Sequence, residues 1–144
     1  VYLWRISNYA DLSGRGGLLA AGRWHRRGNA VVYCSDHPST ALLEILVHVD
    51  LDEIPTDYTL LKIACPEGLP VHRLSETDVD LRDLRATQDL GTSLLSSDAR
   101  CLIDVPSAVM PQARNILINP RHAGADSIRI ETAYRYPFDS RLLR

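Results

Sequence analysis

Gly22-Arg23-Trp24, Val31-Val32-Tyr33 and Ala41-Leu42-Leu43-Glu44 are the three short stretches on which the reading of this chain turns. They carry an arginine, a tyrosine and a glutamate on three different expected elements. Arg23 falls at the edge of a loop. Tyr33 ends an apolar run that reads as a strand. Glu44 lies in a helix over Pro38 to Val49, which Ser35 or Asp36 can cap and in which Pro38 sits near the first turn. Leu42, Ile45, Leu46 and Val49 form the main apolar stripe of that helix, and Leu43 and Val47 widen it. Only Thr40, Glu44 and His48 remain as a polar strip. A helix apolar nearly all round is expected to pack on several sides, which puts Glu44 beside a cleft or the core. A glutamate on a solvated face is the plainer alternative.

The three side chains suit one kind of substrate. A guanidinium can fork onto a pyrophosphate, an aromatic ring can stack on a flat heterocycle, and a carboxylate can stabilise a sugar cation. A dinucleotide such as NAD offers all three groups.

Working outward, Val1 to Ser7 reads as a strand, in which Arg5 is the one charge; on spacing alone it could be an edge-strand charge in solvent. Residues 8–22 read as a loop with Gly14, Gly16 and Gly17. That cluster begins like a dinucleotide fingerprint, but it has Leu19 where the third glycine belongs and no clear helix behind it, so a Rossmann phosphate loop is not expected. Beyond the helix, Tyr58 to Ala64 reads as a strand, Pro66 to Pro70 as a turn and Val71 to Leu74 as a short strand. Ser75 to Arg85 reads as a loop or short helix. Thr87 to Asp98 reads as a helix weakened by Gly91. Cys101 to Val105 is a buried-type strand running into Pro106-Ser107. Prolines at 111 and 120 punctuate the stretch around Ile116 to Ile118, Asn119 to His122 reads as a turn, and Ser127 to Tyr134 alternates like a half-exposed strand. The pattern is mixed α+β, without repeats or linkers, and is expected to form one domain over residues 1–144.

Composition narrows the function classes. Hydrophobic content of 45% and charged content of 24% are ordinary for a globular protein. The net charge of −2 argues against a dedicated nucleic-acid binder. All basic residues but Lys62 are arginine, which suits discrete anions, although high-GC coding gives the same bias. Cys34, Cys65 and Cys101 match no zinc spacing and no disulfide framework; they read as small buried hydrophobes in a reducing, cytoplasmic setting. No signal peptide pattern opens the chain and no apolar run could span a bilayer. The first residue is not methionine, which fits a processed or trimmed start. No metal-ligand cluster is visible.

Trp-Arg-Ile-Ser at 4–7, Gly-Arg-Trp at 22–24, Val-Val-Tyr at 31–33, Leu-Leu-Glu at 42–44, Val-Pro-Ser at 105–107 and Asn-Pro-Arg-His at 119–122 together resemble the RES domain family. The resemblance covers essentially the whole chain. It implies an ADP-ribosyltransferase-like α+β fold, with small split β-sheets around an NAD cleft and flanking helices. It implies a toxin of a bacterial toxin–antitoxin pair that breaks the nicotinamide–ribose bond of NAD, with water or phosphate as acceptor. It places Arg23, Tyr33 and Glu44 at the active site, with Arg5 and Ser107 as further NAD-binding residues. NAD enters as substrate, with phosphate as a candidate co-substrate, and no cofactor or metal is implied.

The implied partner is an Xre-like helix-turn-helix antitoxin, in a hetero-oligomer or beside a homodimer. DNA would be reached only through that partner, and no membrane is involved. Transfer of ADP-ribose to a protein and a non-catalytic binding module remain the alternatives. Ser107 with His25, His48 or His122 does not suggest a serine hydrolase, because no nucleophile-elbow glycines surround the serine.

Overall fold

In a computed structural model, which describes residues 1–97 and 99–143, the strand-forming runs of the sequence become a single mixed sheet. The elements in chain order are β1 (Tyr2–Ile6), α1 (Arg15–Leu19), β2 (Val32–Ser35), α2 (Pro38–His48), β3 (Asp57–Ala64), β4 (Val71–Arg73), α3 (Leu84–Ser96), β5 (Leu102–Pro106), β6 (Arg114–Ile118) and β7 (Arg129–Pro137). Short 3-10 turns occupy Leu51–Glu53, Ala123–Ser127 and Ser140–Leu143. The strands lie side by side in the order β4-β5-β6-β2-β1-β3-β7. Only β4 and β5 run parallel.

The sheet is narrow-waisted. β1 pairs with β3 from Tyr2 opposite Ala64 to Ile6 opposite Leu60, but it meets β2 only where Trp4 faces Ser35. The expected split sheet thus takes the form of two halves, β4-β5-β6-β2 and β1-β3-β7, joined at one residue pair.

Alternation along the strands sends side chains to opposite faces. One face gathers Leu3, Val32, Cys34, Leu61, Ile63, Ile116 and Ile118, covered by Ile128 and the partly buried Leu69 and Ala125. On the other, Ile103, Val105 and Leu117 pack beneath α3 through Leu95, Leu90 and Leu94, with Trp24 beside them. Each fully buried aliphatic chain of this kind stabilises the fold by about 1.5–3 kcal/mol. The cysteines are free and buried. Burial pushes the Cys34 thiol up to about 12, so it behaves as a small hydrophobe.

Several local expectations change. α2 starts at Pro38, but its N-cap is His37, whose Nδ1 accepts the Ser39 N–H at 3.1 Å. Asp36 is drawn away to accept the Thr40 hydroxyl at 3.0 Å and the Arg114 backbone N–H at 3.2 Å, tying the helix to β6. α2 is also not packed on several sides: Thr40 and Ala41 are buried, Leu42, Leu43, Ile45 and Leu46 are half-buried, and Val47 is exposed. It rests on β1 and β2 and leaves an apolar flank uncovered.

The loop over residues 8–22 contains the one-turn helix α1, entered through Gly14 at φ 71°. α3 begins at Leu84 rather than Thr87, because Asp83 caps it by accepting the Ala86 N–H at 3.0 Å. The expected last residue of that helix, Asp98, lies outside the described residues. Arg5 is not on an edge strand; β1 is flanked by β2 and β3. No helix among the described residues is long and apolar enough to cross a membrane.

Gly91 is a contact residue, not a flaw in α3. A Cβ there would fall 1.8 Å from the Trp24 carbonyl oxygen. Gly91→Ala should therefore destabilise the protein by about 3 kcal/mol or more, despite alanine's better helix propensity. Urea unfolding checks this; a variant as stable as wild type would remove the close approach.

Candidate active site

Beyond the Trp4–Ser35 pair, β1 and β2 part, and a cleft of about 790 Å³ opens between them, α2 and the segment that follows β1. Its volume lies in the ordinary range for small-molecule sites, about 300–1,000 Å³. Arg5, Arg23, His25, Tyr33, Glu44 and Asn115 all line it. Four of the five residues expected from sequence thus meet in one place.

Arg23 is placed by α3. The Thr87 hydroxyl donates to the Arg23 carbonyl at 2.7 Å, and the Gln88 side-chain amide donates to the Gly22 carbonyl at 2.9 Å. Gly91 admits the Trp24 carbonyl, and the Trp24 side chain is only 1% exposed. With the backbone so pinned, the Arg23 guanidinium donates from Nη1 to Leu81 O at 3.2 Å and keeps its other donors for the cleft.

Arg5 crosses the gap in the sheet. Its Nη1 donates to the Tyr33 carbonyl at 2.8 Å, standing in for the missing ladder bond, while its buried Nε has no partner. Among the described residues, neither Arg5 nor Arg23 has a carboxylate in ion-pair range. Two guanidiniums outside ion pairs favour an anion in the cleft, although Asp11 and Glu44 belong to the same lining and Asp11 lies within the field of Arg5.

Tyr33 turns its hydroxyl inward. His25, 3% exposed, has Nε2 at 2.8 Å from the Ala20 carbonyl, which can only accept, so Nε2 carries the proton. Nδ1 then accepts from the Tyr33 hydroxyl at 2.6 Å, and the same oxygen accepts the Trp24 N–H at 3.0 Å. Burial raises the phenol well above its ordinary pKa, keeping it a neutral donor. The hydroxyl of this cleft-lining tyrosine is thus committed to two protein partners. Gly22 is required beside it, since a Cβ there would lie 2.7 Å from the Tyr33 oxygen.

Glu44 is held on one side. Its Oε1 accepts the Ser107 hydroxyl at 2.6 Å and the Asn115 Nδ2 at 2.9 Å. The sequence reading gave Ser107 a contact with NAD; the structure places it behind Glu44. It is 0% exposed and its one proton goes to Glu44. Its oxygen also accepts the N–H groups of Val109 and Met110, at 3.2 and 3.1 Å, because the chain turns tightly after β5. Ser107 is a support behind the carboxylate.

His25 and Asn115 were missed. Asn115 had a signal, as an amide between Arg114 and the apolar run Ile116 to Ile118 asks for a partner if the strand is buried. His25 had none, since its partner Tyr33 is joined to it only by the fold. No group of three or more His, Cys, Asp or Glu side chains able to hold a metal occurs among the described residues.

Replacing Tyr33 by Phe leaves the His25 Nδ1 and the Trp24 N–H buried without their shared partner. The expected loss is about 1–3 kcal/mol of stability, measured by thermal unfolding. An unchanged midpoint would mean that the inward hydroxyl contributes nothing.

The chain has recognisable relatives over nearly its whole length. The RES domain family matches residues 2–139. A protein named Toxin Res from Pseudomonas putida is 43% identical over 143 residues, covering 97% of this chain and 98% of the relative. One named Prs ADP-ribosylating toxin, from a Sphingobium species, is 31% identical over 159 residues, covering 98% and 96%. Another Toxin Res, from Photorhabdus laumondii, is 35% identical over 142 residues, covering 92% and 88%. Among solved structures, the M. tuberculosis MbcT–MbcA toxin–antitoxin complex contains a chain that superposes with a TM-score of 0.73 at 16% identity, covering 94% of this chain and 84% of that one. The fold is of the α+β, ADP-ribosyltransferase-like kind, and this chain belongs to the RES domain family.

Proposed function

We propose that this protein is the toxin of a toxin–antitoxin pair and that it cleaves the nicotinamide–ribose bond of NAD in the cytoplasm. The observation that carries the reading is the cleft itself. The Glu44 carboxylate, held on a single oxygen, shares a pocket with Arg5 and Arg23, whose guanidiniums rest on backbone carbonyls and form no ion pair among the described residues. The toxin role is supported by the names of the relatives and by the complex in which the structural neighbour was solved.

Nicotinamide leaves NAD as a neutral molecule and needs little acid help. The hard part is the ribosyl cation left behind. Glu44 stabilises that charge, through space or by accepting from a ribose hydroxyl, and directs the water or phosphate that attacks. Arg23 and Arg5 grip the pyrophosphate, and binding there orients the reacting ribose. Tyr33 offers its ring as a wall for the nicotinamide. Ser107 holds Glu44.

A second reading, transfer of ADP-ribose to a protein, is favoured by the Sphingobium relative's name. It uses the same cleavage with a protein side chain as acceptor. An antitoxin, expected to be Xre-like, would cover the cleft. Its rim supports such a lid, because Tyr9 and Leu19 stand 75% and 73% exposed beside the opening and Val47 and Val109 are exposed too. Apolar groups gathered at a charged opening suit a macromolecular cover.

Chromatography of NAD incubated with the protein, with and without phosphate, tests the reading. Release of free ADP-ribose without phosphate means hydrolysis, and strict phosphate dependence means phosphorolysis. Glu44→Gln should lower turnover by about 100-fold or more with the fold intact, as for loss of a group acting on transition-state charge. Label from the adenylate half of NAD fixed on a protein would establish transfer. Intact NAD with no labelled protein would leave a binding module.

A further inference from the structure

We propose that Asn115, anchored by Ser35, is the positioning residue that decides which oxygen of Glu44 faces the cleft; the catalytic part of this rests on the NAD-cleaving reading above. Ser35 and Asn115 are directly opposed on β2 and β6. The Ser35 hydroxyl donates to Asn115 Oδ1 at 3.1 Å, and both residues are buried. That bond turns the amide so that Nδ2, its donor end, points to Glu44 Oε1 at 2.9 Å. The reverse orientation would set a carbonyl oxygen against a carboxylate oxygen.

Ser107 donates to the same Oε1, so two neutral donors converge on one oxygen. Oε2 accepts no hydrogen bond from the described residues. A glutamate held only by its helix could present either oxygen and swing by an ångström. With Oε1 gripped from two strands, β6 and the end of β5, Oε2 is the oxygen left for substrate. Ser35 is also the β2 residue that faces Trp4, so the alignment of Glu44 is tied to the one backbone link between the sheet halves.

Asn115→Asp tests the idea, because the new side chain has the same shape and can still accept from Ser35. What it loses is the donor to Glu44, replaced by a like charge. The expected result is a fall in kcat of about 100-fold, the scale of an ångström's misplacement, with KM nearly unchanged. Activity should recover in acidic buffer, where the two carboxyls share a proton and a hydrogen bond between them returns. In a Glu44→Gln background the same change should add almost nothing, since no carboxylate remains to align. Ser35→Ala keeps the Asn115 donor and should lose only a few-fold.

Wild-type kcat in Asn115→Asp would overturn the proposal. So would a loss confined to KM, or the same fall in the Glu44→Gln background. A separate readout needs no activity. The Asn115 side-chain amide protons should exchange slowly in NMR spectra of the wild type and rapidly in Glu44→Ala; equal exchange in both would overturn the hold on Glu44. If wild-type protein leaves NAD intact, that result counts against the NAD reading while the amide exchange still judges the alignment.

Discussion

The site depends on the pairing of β1 with β2 being limited to Trp4 and Ser35. A longer ladder would have closed the sheet and filled the space now occupied by the cleft. Because the strands part, the Tyr33 carbonyl needs a donor from elsewhere, and the Arg5 guanidinium supplies it. The residue that bridges the gap is therefore also one that lines the cavity. The same geometry leaves its Nε buried and unpartnered, at a cost that the Nη1 bond to the Tyr33 carbonyl only partly offsets.

Around that gap, polar side chains are tied to specific atoms. Tyr33 reaches His25 and Trp24, Glu44 reaches Ser107 and Asn115, and Asn115 reaches Ser35. An unsatisfied buried polar group costs about 1–3 kcal/mol, so these bonds fix orientation as well as offsetting desolvation. The arginines are arranged differently. They rest on backbone carbonyls and form no ion pair with an acid among the described residues.

The outside of the cleft has its own logic. α2 brings Glu44 inward but covers little else, and its apolar flank stays half-exposed. Together with Tyr9 and Leu19 across the opening, this makes a surface that a single chain leaves unfinished. A sequence reading that equates an apolar helix with deep burial misses this case. Apolar surface can equally be kept for another molecule.

The sequence by itself determined most of the elements. Strand and helix signals located β1, β2, α2 and β3 closely and the start of α3 to within three residues, since residue type and periodicity are local properties; Arg23, Tyr33, Glu44 and Arg5 were singled out by short motifs that resemble the RES domain family. Only the tertiary structure decided how those groups are used. Ser107 became a support because a tight turn buries it against Glu44. His25 and Asn115 entered because strands and loops far apart in sequence bring them to Tyr33 and Glu44. Gly91, a weakness by helix propensity, became necessary because the Trp24 backbone presses against it. Capping of α2 by His37 instead of Ser35 or Asp36 was settled by partners on β6, Asn115 for Ser35 and the Arg114 N–H for Asp36. Partnerships between distant residues are properties of packing, and no local pattern records them.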